Sequence, residues 1–213
     1  MRTNTEAVEP TVTRSARREQ IVQAAIEVLA ERGYASTSIA AIASDHLGVS
    51  KGVLSYHFDN KAELMGEVVR SVLRSAEEWM TPRIVGAASY HEALHQYIAA
   101  NTSFLDLHRT EIAALTEILV NAQAIEGVPE LFAQSQTAAR TALESLFDGG
   151  RSVGEFGDTP SVILAMSLRA TIDAASERLR TDPDFGLETF ARDLMAMFDR
   201  AVAPAPRGKA AMA

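Results

Sequence analysis

From one end to the other, this chain repeats apolar residues at the spacing of an α-helix, and nowhere alternates apolar and polar residues over the length of a strand. An all-α fold follows as the expectation. Helices are predicted over about 15–32, over a short segment beginning at Thr37, over another after Ser50, and over about 60–80, 90–107, 110–124, 129–148, 160–180 and 187–202. Their starts carry capping residues: Thr37, Ser50 with Val49 beside it as a staple, Asn60 paired with Glu63, and Ser89 paired with Glu92. Their stops fall at Gly33, at Pro82 to Gly86, at Arg109-Thr110, at Gly127 to Pro129, in "GGRSVGEFGD" and at Asp182-Pro183.

Composition narrows the class. The 213 residues are 47% hydrophobic and only 6% aromatic, as in an alanine- and leucine-rich helical protein with a sizeable core. With no cysteine there is no disulfide framework and no thiolate metal site, which fits a reducing compartment. No apolar run approaches the roughly 18 residues of a spanning helix, and the expected location is the cytoplasm. The net charge of −8 is unevenly spread. Residues 1–61 hold seven Lys/Arg and seven Asp/Glu, leaving 13 against 21 for the remainder. Arg14, Arg17, Arg18, Lys51 and Lys61 therefore lie on the part of the chain best suited to meet phosphate.

"GVSKGVLSYHF", residues 48–58, is the most informative stretch. Glycine inside a short helix costs about 1 kcal/mol against alanine. With Leu54 pointing inward, Phe58 falls beside it, Gly52 and Tyr56 face out, and Val53 and Ser55 flank them. An outward glycine next to a lysine and a tyrosine suits a helix whose backbone is pressed against a flat partner such as the floor of a major groove. Short helix, tight turn and short helix make a helix-turn-helix.

Residues 14–65, from the arginines through "GYASTSIAAIA" to "GVSKGVLSYHFDNKAEL", resemble the DNA-binding domain of the TetR family of bacterial transcriptional regulators. The resemblance implies an arm over 1–13, a helix-turn-helix DNA-binding domain over 14–62, a larger C-terminal effector-binding and dimerisation domain over 63–203, and a tail over 204–213. It also implies a homodimeric regulator, most often a repressor, bound to a palindromic operator and released by a small, apolar effector. Carried over by position, Thr37 and Ser38 meet a phosphate, Ser50, Lys51, Gly52 and Val53 lie at the groove floor, Ser55, Tyr56 and His57 touch base or backbone, and Lys61 clamps a phosphate. Plainer roles stay open: capping for Ser50, solvation for Lys61, packing for His57. Two departures stand out. Ser55 occupies a position that is often tyrosine in the family, and "IASDHLGVS" is one residue longer than the usual spacing before the turn.

Residues 91–95 read "HEALH", which matches the H-E-x-x-H zinc-protease pattern, with Glu117 at a spacing that suits a third ligand. A zinc-dependent hydrolase is thus one rival reading, and a helical dimer that binds a partner protein is another. Against the hydrolase, Glu92 has a capping role with Ser89, and no strand supplies a substrate-binding sheet. No catalytic residue, cofactor or metal is assigned, and a solvated pair is the default for His91 and His95. No phosphate-binding glycine loop and no nucleophile motif appears.

In the C-terminal part, Ala165, Ala170, Ala174 and Ala175 on 160–180, and Leu187, Phe190, Leu194, Met197 and Phe198 on 187–202, are expected to form the dimer surface. Candidate effector-lining residues are Trp79, Phe104, Glu117, Asn121, Met166 and Arg169.

Overall fold

The computed structural model describes residues 9–205, with side chains from Arg14 onward. Among the described residues every regular element is helical: α1 Glu9–Ser36, α2 Ile39–Ala41 continued by a π turn Ile42–His46, α3 Lys51–His57, α4 Lys61–Val85, α5 Tyr90–Leu107, α6 Arg109–Val120, a 3-10 turn Ala122–Ala124, α7 Val128–Ser152, α8 Ser161–Thr181 and α9 Leu187–Val202. The expected all-α class is what the chain adopts. The arm expected over 1–13 lies outside the described residues up to 8, whereas Glu9–Thr13 continue α1 backwards. The tail is described only at Pro204 and Ala205, which follow α9 without regular structure.

Local chemistry explains most of the boundaries. Gly33 leaves helical geometry at φ 73°, as its role as a stop required, and a β-carbon there would come within 3.1 Å of the Glu117 carboxylate. Asn60 accepts from the Glu63 amide at 2.9 Å while Glu63 accepts from Asp59 N–H at 2.7 Å, and Ser89 with Glu92 repeats the device at α5. The predicted end of α4 before Pro82 is corrected: the helix runs through it to Val85. Arg83 holds this last turn, its guanidinium 3.6 Å from the Trp79 ring centroid and bonded to the Trp79 carbonyl.

The packing forms two units that are discontinuous in sequence, one of residues up to Arg74 with Arg109–Ala133, the other of Ser75–His108 with Gln134 onward. In the first unit Ile21, Ala25, Val28 and Leu29 of α1 share a core with Ile42, Leu54, Phe58, Leu64, Met65 and Val68, and Ala114 and Ile118 of α6 complete it. A helix far along the chain thus closes the core beneath α3. In the second unit Leu94, Ile98 and Phe104 of α5, Leu143 and Phe147 of α7, Leu164 and Leu168 of α8, and Leu194 and Phe198 of α9 are buried.

The residue in excess before the turn has a structural home. Leu47 N–H bonds Ile42 O at 3.2 Å and Val49 N–H bonds Ala43 O at 2.9 Å, widening the helix by one residue just where the sequence is long. Ile42 and Ala43 stay buried, Leu47 and Val49 still pack on the core, and Gly48 makes the turn at φ 61°. The insertion is absorbed before α3, whose inward face keeps its register.

Candidate nucleic-acid interface

α3 lies over the first core with Leu54 and Phe58 fully buried beneath it. Lys51, Gly52, Ser55 and Tyr56 are exposed on its other side, and Val53 and His57 are half-buried at the flanks. This is the orientation expected from the sequence. Tyr56 is 67% exposed, with the Arg14 guanidinium 5.2 Å from its ring centroid and the His57 ring edge-on at 5.2 Å. A β-carbon on Gly52 would meet only Ser50 Oγ at 3.7 Å, an ordinary contact. Nothing inside the fold requires glycine at that position.

Arg18 fixes the end of α3. Its guanidinium donates to the His57 carbonyl at 2.6 Å, sits 4.1 Å from the Phe58 ring centroid, and pairs with Glu63 and Glu67 at 3.3 Å. Burial, and then the positive charges of Arg14, Arg18 and Arg17, hold the His57 imidazole below its ordinary pKa. The neighbourhood of α3 is thus electropositive although the chain is acidic. Arg14 is one of the cations the sequence places near phosphate, in the arginine run "RSARR", but its place over Tyr56 had no sequence signal.

Three of the expected contact residues have a setting within the fold that the sequence did not show. Thr37 is only 2% exposed and its hydroxyl donates to Gly33 O at 2.8 Å, so its side chain faces inward. The cap of α2 is Ser38, which accepts from Ala41 N–H at 3.1 Å. Ser50 occupies the N-cap position of α3 without a side-chain capping bond. Lys61 spends one donor on Tyr34 O at 2.7 Å with its ammonium 3.6 Å from the Tyr34 ring centroid, and burial lowers its pKa. It ties α4 to the end of α1 instead of standing out from the surface.

The expected effector residues are divided between the two units. Glu117 and Asn121 belong to the first unit, where Glu117 accepts from Tyr34 N–H at 3.0 Å and Asn121 donates to Glu117 O at 2.8 Å. Met166 is 52% exposed on α8. Arg169 bonds Tyr97 Oη at 3.1 Å and Asp173 at 2.6 Å, and Phe104 is buried against the His108 ring. Trp79 donates to Ser103 Oγ at 3.3 Å. An open cleft in the second unit lies between α5 and α9, with a volume of about 630 Å³ and with Ala99, Thr102, Ser103, Leu187, Ala191 and Met195 among its walls.

Residues 21–68, which hold the later part of α1, all of α2 and α3 and the start of α4 but neither Arg14 nor Arg18, match the family model of bacterial regulatory proteins of the tetR family. Over this segment the chain is similar to the TetR family of bacterial regulators. The HTH-type transcriptional regulator BetI of Brucella canis is 30% identical over 115 residues, 54% of this chain and 58% of BetI. The match thus spans little more than half the length of that curated relative. The HTH-type transcriptional repressor KstR2 of Rhodococcus jostii is 23% identical over 185 residues, 86% of this chain and 90% of its own. Among solved structures, AibR in complex with isovaleryl coenzyme A and operator DNA superposes with a TM-score of 0.72 at 19% identity, over 85% of this chain and 97% of AibR. These relatives are named as transcriptional regulators, and none of them lends support to the hydrolase reading of "HEALH". In the structure the Glu92 carboxylate is turned back onto the Ala88 N–H at 2.7 Å, where it caps the start of α5.

Proposed function

We propose that this protein is a TetR-family transcriptional repressor that binds a palindromic operator as a homodimer through residues 14–62 and releases it when a small, largely apolar molecule binds the helical body. The observation that carries this reading is the outer face of α3: an exposed lysine, serine and tyrosine around a glycine that the fold itself does not need. Lys51, Gly52, Val53, Ser55 and Tyr56 meet base edges and the thymine methyl, while Ser38, Ser50 and Arg14 set the register on phosphate. The resemblance assigns His57 and Lys61 to the same surface; their bonds to Arg18 and Tyr34 give them a share in positioning α3 and α4.

The second copy docks on α8 and α9. Leu187, Leu194 and Phe198, expected at that surface, are buried within their own chain, as are Ala165 and Ala175. What α8 and α9 leave exposed is Val162, Ile163, Met166, Ala170, Ala174 and Met197, an apolar and small-residue face suited to helix-on-helix packing. The effector enters the α5–α9 cleft, whose volume lies in the range of small-molecule sites. Ser103 on its wall bonds Trp79, the sole tryptophan, and occupancy is therefore read as a change in tryptophan fluorescence.

Selection of binding sequences from random duplex DNA with ligand-free protein tests the function. The reading requires a palindrome with half-sites about one helical turn, roughly 34 Å, apart. Failure to enrich any sequence at low salt with folded protein would remove it and favour a partner-protein role for the same dimer.

A further inference from the structure

The "HEALH" helix is not used by the DNA-binding reading, yet its two histidines are not simply solvated. Ser89 caps α5 and sets its phase, and His91 and His95 fall one turn apart on one side with ring centroids 4.5 Å apart. Asp199, on the last turns of α9, brings one carboxylate oxygen to 3.0 Å from His91 Nε2 and 2.7 Å from His95 Nε2. Both imidazoles thus present the same nitrogen to a single point, and the three donor atoms lie within 4.8 Å of one another. Glu155 accepts from the His91 N–H at 2.9 Å and fastens the start of this helix.

We propose that His91, His95 and Asp199 bind one divalent transition-metal ion of the zinc class. Two imidazole nitrogens and a carboxylate oxygen are a donor set for zinc, cobalt or nickel and a poor one for magnesium or calcium, which prefer oxygen alone. The spacing fits: donors about 2.1 Å from an ion stand roughly 3.0–3.4 Å apart, so small side-chain rotations admit it. All three side chains are part-exposed, at 48%, 32% and 38%, and an ion reaches them from solvent. Glu117, the third ligand the sequence pointed to, belongs to the other unit and bonds Tyr34; the carboxylate comes from 104 residues beyond His95 instead. An ion here fastens the start of α5 to the end of α9, and because His95 and Asp199 also line the α5–α9 cleft, it sits at the edge of that cleft. Three protein ligands leave coordination positions open to water or to a ligand in the cleft.

The test uses the untagged full-length chain stripped with chelator. Isothermal titration with zinc, and cobalt titration followed by its visible absorption, are expected to give one ion per chain and a melting temperature that rises with zinc concentration. His95→Gln and Asp199→Asn, checked for unchanged helix content, are each expected to weaken zinc by more than about tenfold. His46→Gln, a change in the first unit, leaves binding intact. No zinc binding below millimolar concentration, or binding that survives both His95→Gln and Asp199→Asn, overturns the site. The readout needs no DNA, so it stands or falls separately from operator recognition.

Discussion

The guanidinium of Arg18, on α1, donates to the carbonyl oxygen of His57, the last residue of α3, at 2.6 Å. One side chain thereby satisfies an end carbonyl of the short helix, covers the Phe58 ring and reaches two carboxylates of α4. Arg18→Ala is expected to lower stability by about 1–2 kcal/mol, since a charge-assisted bond and a packed ring are lost at a part-exposed site. Urea unfolding measures it. Operator affinity should fall further than that of a surface control such as Arg178→Ala, because α3 loses its anchor.

The π turn makes a prediction about chain length. Ser44 is exposed in that turn, bonded only locally to Ala40 O at 3.0 Å and to Asp45 at 2.7 Å. Deleting Ser44 should convert the turn to ordinary α-helix, with cooperative unfolding retained and stability changed by no more than about 1 kcal/mol. Loss of the cooperative transition in thermal denaturation would show that the wide turn is required by the fold.

His57 gives a pH dependence whose sign is fixed. Burial and three arginines depress its pKa in the folded state below 6.5, so the folded protein resists a proton that the unfolded chain accepts. Its contribution to stability is fully present above pH 6.5 and is lost as pH falls from there through the depressed folded value. An NMR titration of the His57 imidazole should give a midpoint below 6.5 that rises toward it in Arg14→Ala, and His57→Gln should flatten the acid side of the stability profile. A midpoint at or above the ordinary value would contradict the electropositive setting of α3.

The exposed side of α8 predicts association. Ile163 is 54% exposed between Val162 and Met166, and Ile163→Glu buries a charge if that face is covered by a second copy. The protein should be a dimer by sedimentation equilibrium and the variant a monomer with unchanged helix content. A wild-type monomer at micromolar concentration would leave the operator reading without its two-fold symmetry.

What was legible in the sequence was local. The capping pairs Asn60–Glu63 and Ser89–Glu92 lie three residues apart and form as their spacing predicts, and the phase of α3 followed from placing Leu54 inward. Adjacent hydroxyls at Thr37 and Ser38 could not be told apart, because which one caps depends on how the Gly33 break directs the chain. Periodicity marked Leu187, Leu194 and Phe198 as one apolar stripe but carries no information on whether the same chain or another covers it. The tight spots in "GGRSVGEFGD" read as a break, yet α7 continues through Gly149 and Gly150, whose missing side chains make room for Tyr90 and Phe156. Asp199 beside His95 and Glu117 beside Tyr34 join residues far apart in the chain, and only the packed helices reveal such pairs.

The most direct measurement concerns Gly52. Alanine fits there, meeting only Ser50 Oγ at 3.7 Å, and should raise helix stability by up to about 1 kcal/mol. If glycine is there so that α3 can approach a partner closely, Gly52→Ala should melt at or above the wild-type temperature while its affinity for the selected operator, measured by fluorescence anisotropy, falls by about tenfold or more. Unchanged affinity in the variant would contradict the account of α3 as the helix that enters the groove.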